Sequence, residues 1–96
     1  IICMQRDSNN TVPEWEEIAS TSMAVQNIWL TCTANNLGCY WSSPKSIDKI
    51  GGLINLKKGE RCLGFLYLGH HDIKEKLSFK RGFIAKKVEW IDSINR

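Results

Sequence analysis

The spacing of apolar and polar positions divides this chain into a small number of readable elements. Ile1 to Gln5 is an apolar run that reads as a strand, and Asp7 to Asn10 is a polar turn. Ile18, Thr21, Val25, Ile28, Trp29 and Cys32 then recur at three- and four-residue steps, the period of a helix with one face buried. Thr11 with Glu14 three positions on has the form of a capping box, and Pro13 falls in the first turn, where its missing N–H costs nothing. The spacing predicts a helix that runs to Asn36 and is stopped by Gly38. Such a rod, about 36 Å long at ~1.5 Å per residue, is long for a domain of this size and suits a central or dimer-spanning position.

Beyond the helix, Cys39 to Trp41 reads as a short extended piece leading into a turn at Ser42-Ser43-Pro44. Ser46 is an N-cap for a short helix over Ile47 to Ile50, broken by Gly51-Gly52, and Lys57-Lys58-Gly59 is a turn. Arg61 to Gly69 is the clearest strand. Strict alternation places Cys62, Gly64, Leu66 and Leu68 on one side and Leu63, Phe65 and Tyr67 on the other. Both sets are apolar, so the strand is expected to be central and covered on both faces. His70 to Phe83 reads as irregular, and Lys86 to Asp92 as a final short strand or an extended tail. Two or three strands make a poor sheet by themselves. An apolar strand at residue 1 also has no lead-in, so the chain reads as the back half of a larger domain.

Composition narrows the class. Ninety-six residues make one domain at most, yet the chain carries four Trp, three Phe and two Tyr. Either the core is dense or part of this aromatic surface meets another chain. The net charge is +3, with the excess after Asn55; that bias suits an anionic ligand such as a phosphate but is too diffuse for a nucleic-acid stripe. Cys3, Cys32, Cys39 and Cys62 form no CxxC pair and sit in or beside apolar runs, as buried free thiols do. They indicate a reducing, cytoplasmic setting. No stretch has the length and apolarity of a membrane span.

Few residues carry recognisable chemistry by themselves. His70, His71 and Asp72 are adjacent, do not converge on one ion and have no third ligand at helical spacing, so they read as a solvated loop. Ser42 and Ser43 lack a nucleophile elbow, and Gly51-Gly52 lacks the Lys-Ser/Thr of a phosphate loop. Lys80-Arg81, between Phe79 and Phe83, reads first as surface charge and second as a phosphate contact.

The stretch VPEWEEIASTSMAVQNIWLTCTANNLGCYWSS resembles the small single-domain branch of the nitroreductase family, in which a VPxWE lead-in opens a long helix and LG closes it before a W-x-S turn. CLGFLYLG is similar to that family's closing core strand, and KVEWI to its C-terminal segment, in the family's order. The resemblance implies an α+β fold, a mostly antiparallel sheet among helices, of which residues 1–96 are the C-terminal part of a single domain. It implies FMN as cofactor and NAD(P)H as co-substrate, with electrons passing to a nitroaromatic or quinone-like small molecule. It also implies an obligate homodimer with FMN at the interface, and an N-terminal half carrying the main phosphate anchor. By the same resemblance Trp41, Ser42 and Ser43 are cofactor contacts, Lys80 or Arg81 assists the phosphate, and Thr31, Cys32, Thr33, Ala34, Asn35 and Asn36 match dinucleotide-binding positions. Flavin chemistry needs no protein acid or base, and none is picked out. The competing reading is a non-enzymatic module that dimerises through the long helix and holds no flavin.

Overall fold

The computed structural model describes residues 1–74 and 79–92. Three strands form one antiparallel sheet: β1 (Ile2–Gln5), β2 (Gly38–Ser42) and β3 (Glu60–Gly69), in the order β1-β3-β2. The fold class is α+β. One long helix, α1 (Glu14–Ala34), packs across β1 and β2. A 3₁₀ helix over Lys45–Lys49 and a single helical turn, α2 (Gly51–Ile54), lie between β2 and β3. A second short 3₁₀ helix covers Ile84–Lys86, and Val88 to Asp92 form no strand.

Both long elements follow from the periodicity, but their ends do not. Pro13 occupies the N-cap of α1 and no side chain caps the helix. The expected capping box is not formed, because the Thr11 hydroxyl donates instead to Asp7 Oδ2 at 2.6 Å. Glu14 turns outward to Arg61, 3.2 Å away. The tie at this end comes from Glu17. Its Oε2 accepts from Arg6 Nη1 at 2.7 Å and its Oε1 from the Asp7 backbone N–H at 2.7 Å. Arg6 also reaches the Val12 carbonyl and Asn10 Oδ1, and its own N–H bonds to the Gly59 carbonyl. One half-buried guanidinium thus binds β1, the following turn and the start of α1 together.

At the other end the helix stops at Ala34, not Asn36, and the left-handed residue is Asn36 (φ 57°), not Gly38. The Leu37 N–H bonds back to the Cys32 carbonyl (2.9 Å) and the Asn36 N–H to the Thr33 carbonyl (3.2 Å). These two bonds are a Schellman closure with asparagine in the usual glycine place. Gly38 is freed to begin β2, opposite Gly69. Ser46 caps nothing: Pro44 precedes the 3₁₀ helix, and Gly51-Gly52 open α2 where a break was expected.

The strand β3 is central, as its apolar run predicts, but its faces are not the alternating sets. Ile2 pairs with Gly64 and Cys3 with Cys62, so one step on β1 faces two on β3. Leu63 is the extra residue of a β-bulge, and Gly64 holds φ +141°. The bulge exchanges the faces. Arg61 reaches Glu14 on α1, whereas Cys62 lies beside Ile47 and Leu56 on the opposite side. Past the bulge, Leu66 and Leu68 line the α1 side with Val25 and Ile28, and Phe65 faces the 3₁₀ helix. Cys62 therefore shares a face with Phe65 and not with Leu66.

Among the described residues the buried apolar core is Ile2, Met4, Val25, Cys32 and Cys62. It lies largely where α1 crosses the sheet. Cys3 is exposed and Cys39 half-buried, so only two of the four thiols are buried as expected. Cover on β3 fades along its length, with Tyr67 and Leu68 exposed. Trp15, Met23 and Leu30 project from the side of α1 away from the core. All of residues 79–92 are exposed, including Phe79, Phe83 and Trp90 at 80%, 81% and 84%. The radius of gyration is 18.4 Å, against about 12–13 Å for a compact domain of this length. The aromatic load has gone mainly to the surface.

Candidate functional site

The end of β2 carries a closed set of three hydrogen bonds. Trp41 lies on the strand, as its extended reading expects, opposite Leu66, and Ser42, expected in the turn, is the last strand residue, opposite Phe65. Ser43 and Pro44 leave the strand. The Trp41 indole Nε1 donates to Ser43 Oγ at 3.1 Å and to the Leu63 carbonyl at 3.2 Å, and Ser43 Oγ donates to the same carbonyl at 2.8 Å. Leu63 is the bulged residue. Its carbonyl accepts from both side chains and so fixes the indole ring and the serine rotamer.

Gly64 makes this arrangement possible. A Cβ there would stand 2.5 Å from both the Ser42 carbonyl oxygen and Trp41 Nε1, and 2.7 Å from Ser43 Oγ. No side chain fits, and φ +141° is open only to glycine. Neither Leu63 nor Gly64 is among the sequence-predicted site residues. The signal for them was present: a lone glycine inside a strand pattern marks a bulge or a close backbone approach.

The neighbourhood offers two shallow grooves. One of about 230 Å³ runs between Pro44, Ile47, Ile50, Leu53 and Phe65. The other, about 330 Å³, follows Gly38, Tyr40, Tyr67, His70 and His71. Tyr40 and Tyr67 are cross-strand partners and both exposed. The His71 ring lies against Gly38, its Nδ1 accepting from the Ile73 N–H at 3.2 Å. These two histidines border a groove and gather no third ligand among the described residues.

The remaining predicted residues fall in two other places. Thr31 to Asn36 form the last turn of α1 and its closure. Thr31 Oγ1 donates to the Asn27 carbonyl, Thr33 Oγ1 to that of Trp29, and Asn35 Nδ2 to that of Thr31. Cys32 belongs to the core, while Thr31, Thr33, Ala34, Asn35 and Asn36 are exposed. Lys80 and Arg81 are exposed on the segment after residue 78 and make no ion pair among the described residues. The structure thus brings Trp41, Ser42 and Ser43 together. It does not join Lys80 and Arg81 to them.

Two of the thiols are raised above the ordinary cysteine value: Cys3 by burial first and the facing Cys62 second, and Cys39 by burial first and the nearby Cys32 second. No helix among the described residues is long and apolar enough to cross a membrane.

The profile of the nitroreductase family matches residues 1–70. The crystal structure of the nitroreductase-like family protein from Bacillus cereus superposes with a TM-score of 0.74 at 30% identity, over 95% of this chain and 49% of that one. The chain therefore spans about half the length of that relative. No curated protein matches the chain.

Proposed function

The chain belongs to the nitroreductase family, and on that premise we propose that it is the C-terminal part of an FMN-dependent oxidoreductase that takes electrons from NAD(P)H and delivers them to nitroaromatic or quinone-like acceptors. The observation that carries this reading is the rigid Trp41–Ser43 segment at an edge of the sheet, locked from behind by the Leu63 carbonyl.

The donors present suit one edge of a flavin. Trp41 Nε1 and Ser43 Oγ are already bonded within the protein, so these two side chains hold the strand end and do not donate outward. On an edge strand every second backbone N–H points away from its partner, and the end of β2 thereby presents fixed donors to the electron-rich side of the ring. Because the Ser43 rotamer and the indole are pinned, such donors need no reorganisation when charge develops. Bound here, FMN would supply two-electron transfer between nicotinamide and acceptor. The phosphate is less well served. Lys80 and Arg81 are free to help, but the main anchor belongs to the half of the fold that this chain does not span.

Residues 1–96 make up the C-terminal portion of one domain in this reading. The exposed outer face of α1, with Trp15, Met23 and Leu30, awaits the N-terminal half or the second subunit of a homodimer with FMN between the two chains. The exposed threonines and asparagines at the end of α1 are the place for NAD(P)H to approach. The reduced thiols suit the cytoplasm.

The test is to express the chain joined to, or mixed with, the N-terminal half. A yellow protein whose released chromophore has the mass of FMN is expected, and Trp41→Ala should loosen the flavin while leaving the fold intact. A colourless protein that takes up no added FMN would favour the non-enzymatic module and end this proposal.

A further inference from the structure

We propose that Cys3 and Cys62 are a reversible disulfide pair, so that the β1 edge of the sheet is a thiol-modification site for small disulfides of the glutathione class. The inference is independent of flavin binding.

The register carries it. Cys3 and Cys62 are direct partners across the antiparallel β1–β3 ladder. The Arg6 N–H bonds to the Gly59 carbonyl, which makes that pair, three steps along the same register, a hydrogen-bonded one. Bonded and unbonded pairs alternate, so Gln5 with Glu60 is unbonded, Met4 with Arg61 bonded, and Cys3 with Cys62 unbonded. Unbonded pairs are the close ones, with Cα atoms about 4.5 Å apart and side chains on one face. Disulfides need Cα atoms about 4.4–6.8 Å apart. The separation expected of an unbonded pair lies within that range.

Access assigns the roles. Cys3 is exposed and Cys62 buried, so Cys3 meets the oxidant and Cys62 resolves. The Cys3 thiolate attacks one sulfur of oxidised glutathione and releases the first glutathione thiolate. The Cys62 thiolate then attacks the Cys3 sulfur of the mixed disulfide, forms the Cys3–Cys62 bond and releases the second. The two cysteine protons end on the two glutathiones, and the small disulfide has accepted two electrons. Cys3 leaves one end of the bridge exposed, and exposed bridges are the readily reduced ones. The bond would therefore open again in reduced glutathione.

The position gives the modification a consequence. The Cys62 thiol makes a long contact to the Gly64 carbonyl at 3.8 Å, and Leu63 between them holds Trp41 and Ser43. Oxidation removes that thiol contact and ties the bulge covalently to β1. The other two thiols, Cys32 and Cys39, are buried and half-buried, which leaves Cys3 the most exposed of the four.

The experiment treats the full 96-residue chain with excess oxidised glutathione at pH 8 and blocks remaining thiols. Trypsin cleavage without reduction follows. The expected product is the peptide Ile1–Arg6 joined to Cys62–Lys74, with an intact mass lower by about 2 Da for the two hydrogens lost. Reduced glutathione should restore both thiols. Cys32→Ser should leave the crosslink in place and Cys3→Ser should abolish it. Three results would overturn the proposal. They are a stable glutathione adduct on Cys3 with Cys62 still alkylated, a Cys3–Cys3 bridge between two chains, and oxidation confined to the Asp7–Lys45 peptide, which holds Cys32 and Cys39.

Discussion

Gly64 lies so close to Ser42 that a methyl group on its α-carbon would stand 2.5 Å from the Ser42 carbonyl oxygen. The obstacle is backbone, which cannot swing aside as a flexible side chain would. Gly64→Ala should therefore destabilise the chain by on the order of 3 kcal/mol or more, combining backbone strain with overlap. Gly52 is the control. It lies in α2 with nothing within 4 Å of a Cβ, so Gly52→Ala should be neutral or stabilise by up to about 1 kcal/mol. Urea denaturation of the two variants would separate these outcomes. Equal midpoints would contradict the role given to the bulge.

The Leu63 carbonyl has two donors, Trp41 and Ser43, and this predicts non-additivity. Ser43→Ala and Trp41→Phe each leave one donor in place and should each cost about 1 kcal/mol in hydrogen bonding. The double variant leaves the carbonyl with neither, and should cost more than the sum. A double-mutant cycle by denaturant titration measures the difference.

Two ion pairs on α1 should behave differently. Arg6–Glu17 spans 2.7 Å, with side-chain exposures of 24% and 14%, and Glu17 also accepts the Asp7 N–H. Arg61–Glu14 spans 3.2 Å, with exposures of 55% and 49%. Glu17→Ala should cost about 2–3 kcal/mol by removing the guanidinium's ionic partner and stranding a backbone donor. Glu14→Ala should cost no more than about 0.5 kcal/mol. Thermal unfolding at low and high salt would also show greater salt sensitivity for the Arg61–Glu14 pair.

The turn after β1 should loosen in acid. The Thr11 hydroxyl, and after it the Asn9 and Thr11 backbone N–H groups, hold the Asp7 carboxyl below the usual carboxylate range. A lowered folded-state value stabilises the turn above the ordinary carboxylate pKa, and that contribution is lost as pH falls through the lowered value. An NMR titration should show Asp7 protonating at lower pH than an unstructured aspartate, with the Thr11 amide shifting in step. Thr11→Val should bring the Asp7 midpoint back toward the ordinary value.

How much could be read in advance depended on how local the cause was. The long helix and the central strand were legible, since each rests on the spacing of apolar residues within one segment. The helix ends were not. Thr11 had the right spacing to cap α1, yet Asp7 took its hydroxyl; Asn36 and Gly38 both suited the left-handed position, and the closure onto Cys32 and Thr33 used Asn36. Where two nearby groups can satisfy the same demand, the sequence offers both and geometry picks one. At the candidate site, Trp41, Ser42 and Ser43 were singled out beforehand through family resemblance. The Leu63 carbonyl that holds Trp41 and Ser43, some twenty residues further on, was not.

By itself the sequence determined one helix, a central apolar strand and the order of these elements along the chain, because periodicity and turn chemistry act over a few residues. Only the tertiary structure decided which side of β3 each residue faces. Facing depends on register with β1, and the extra residue at Leu63 exchanges the two sides midway along the strand, sending Cys62 to the face opposite Leu66. A pairing between residues sixty positions apart leaves no trace in the alternation of either segment read alone.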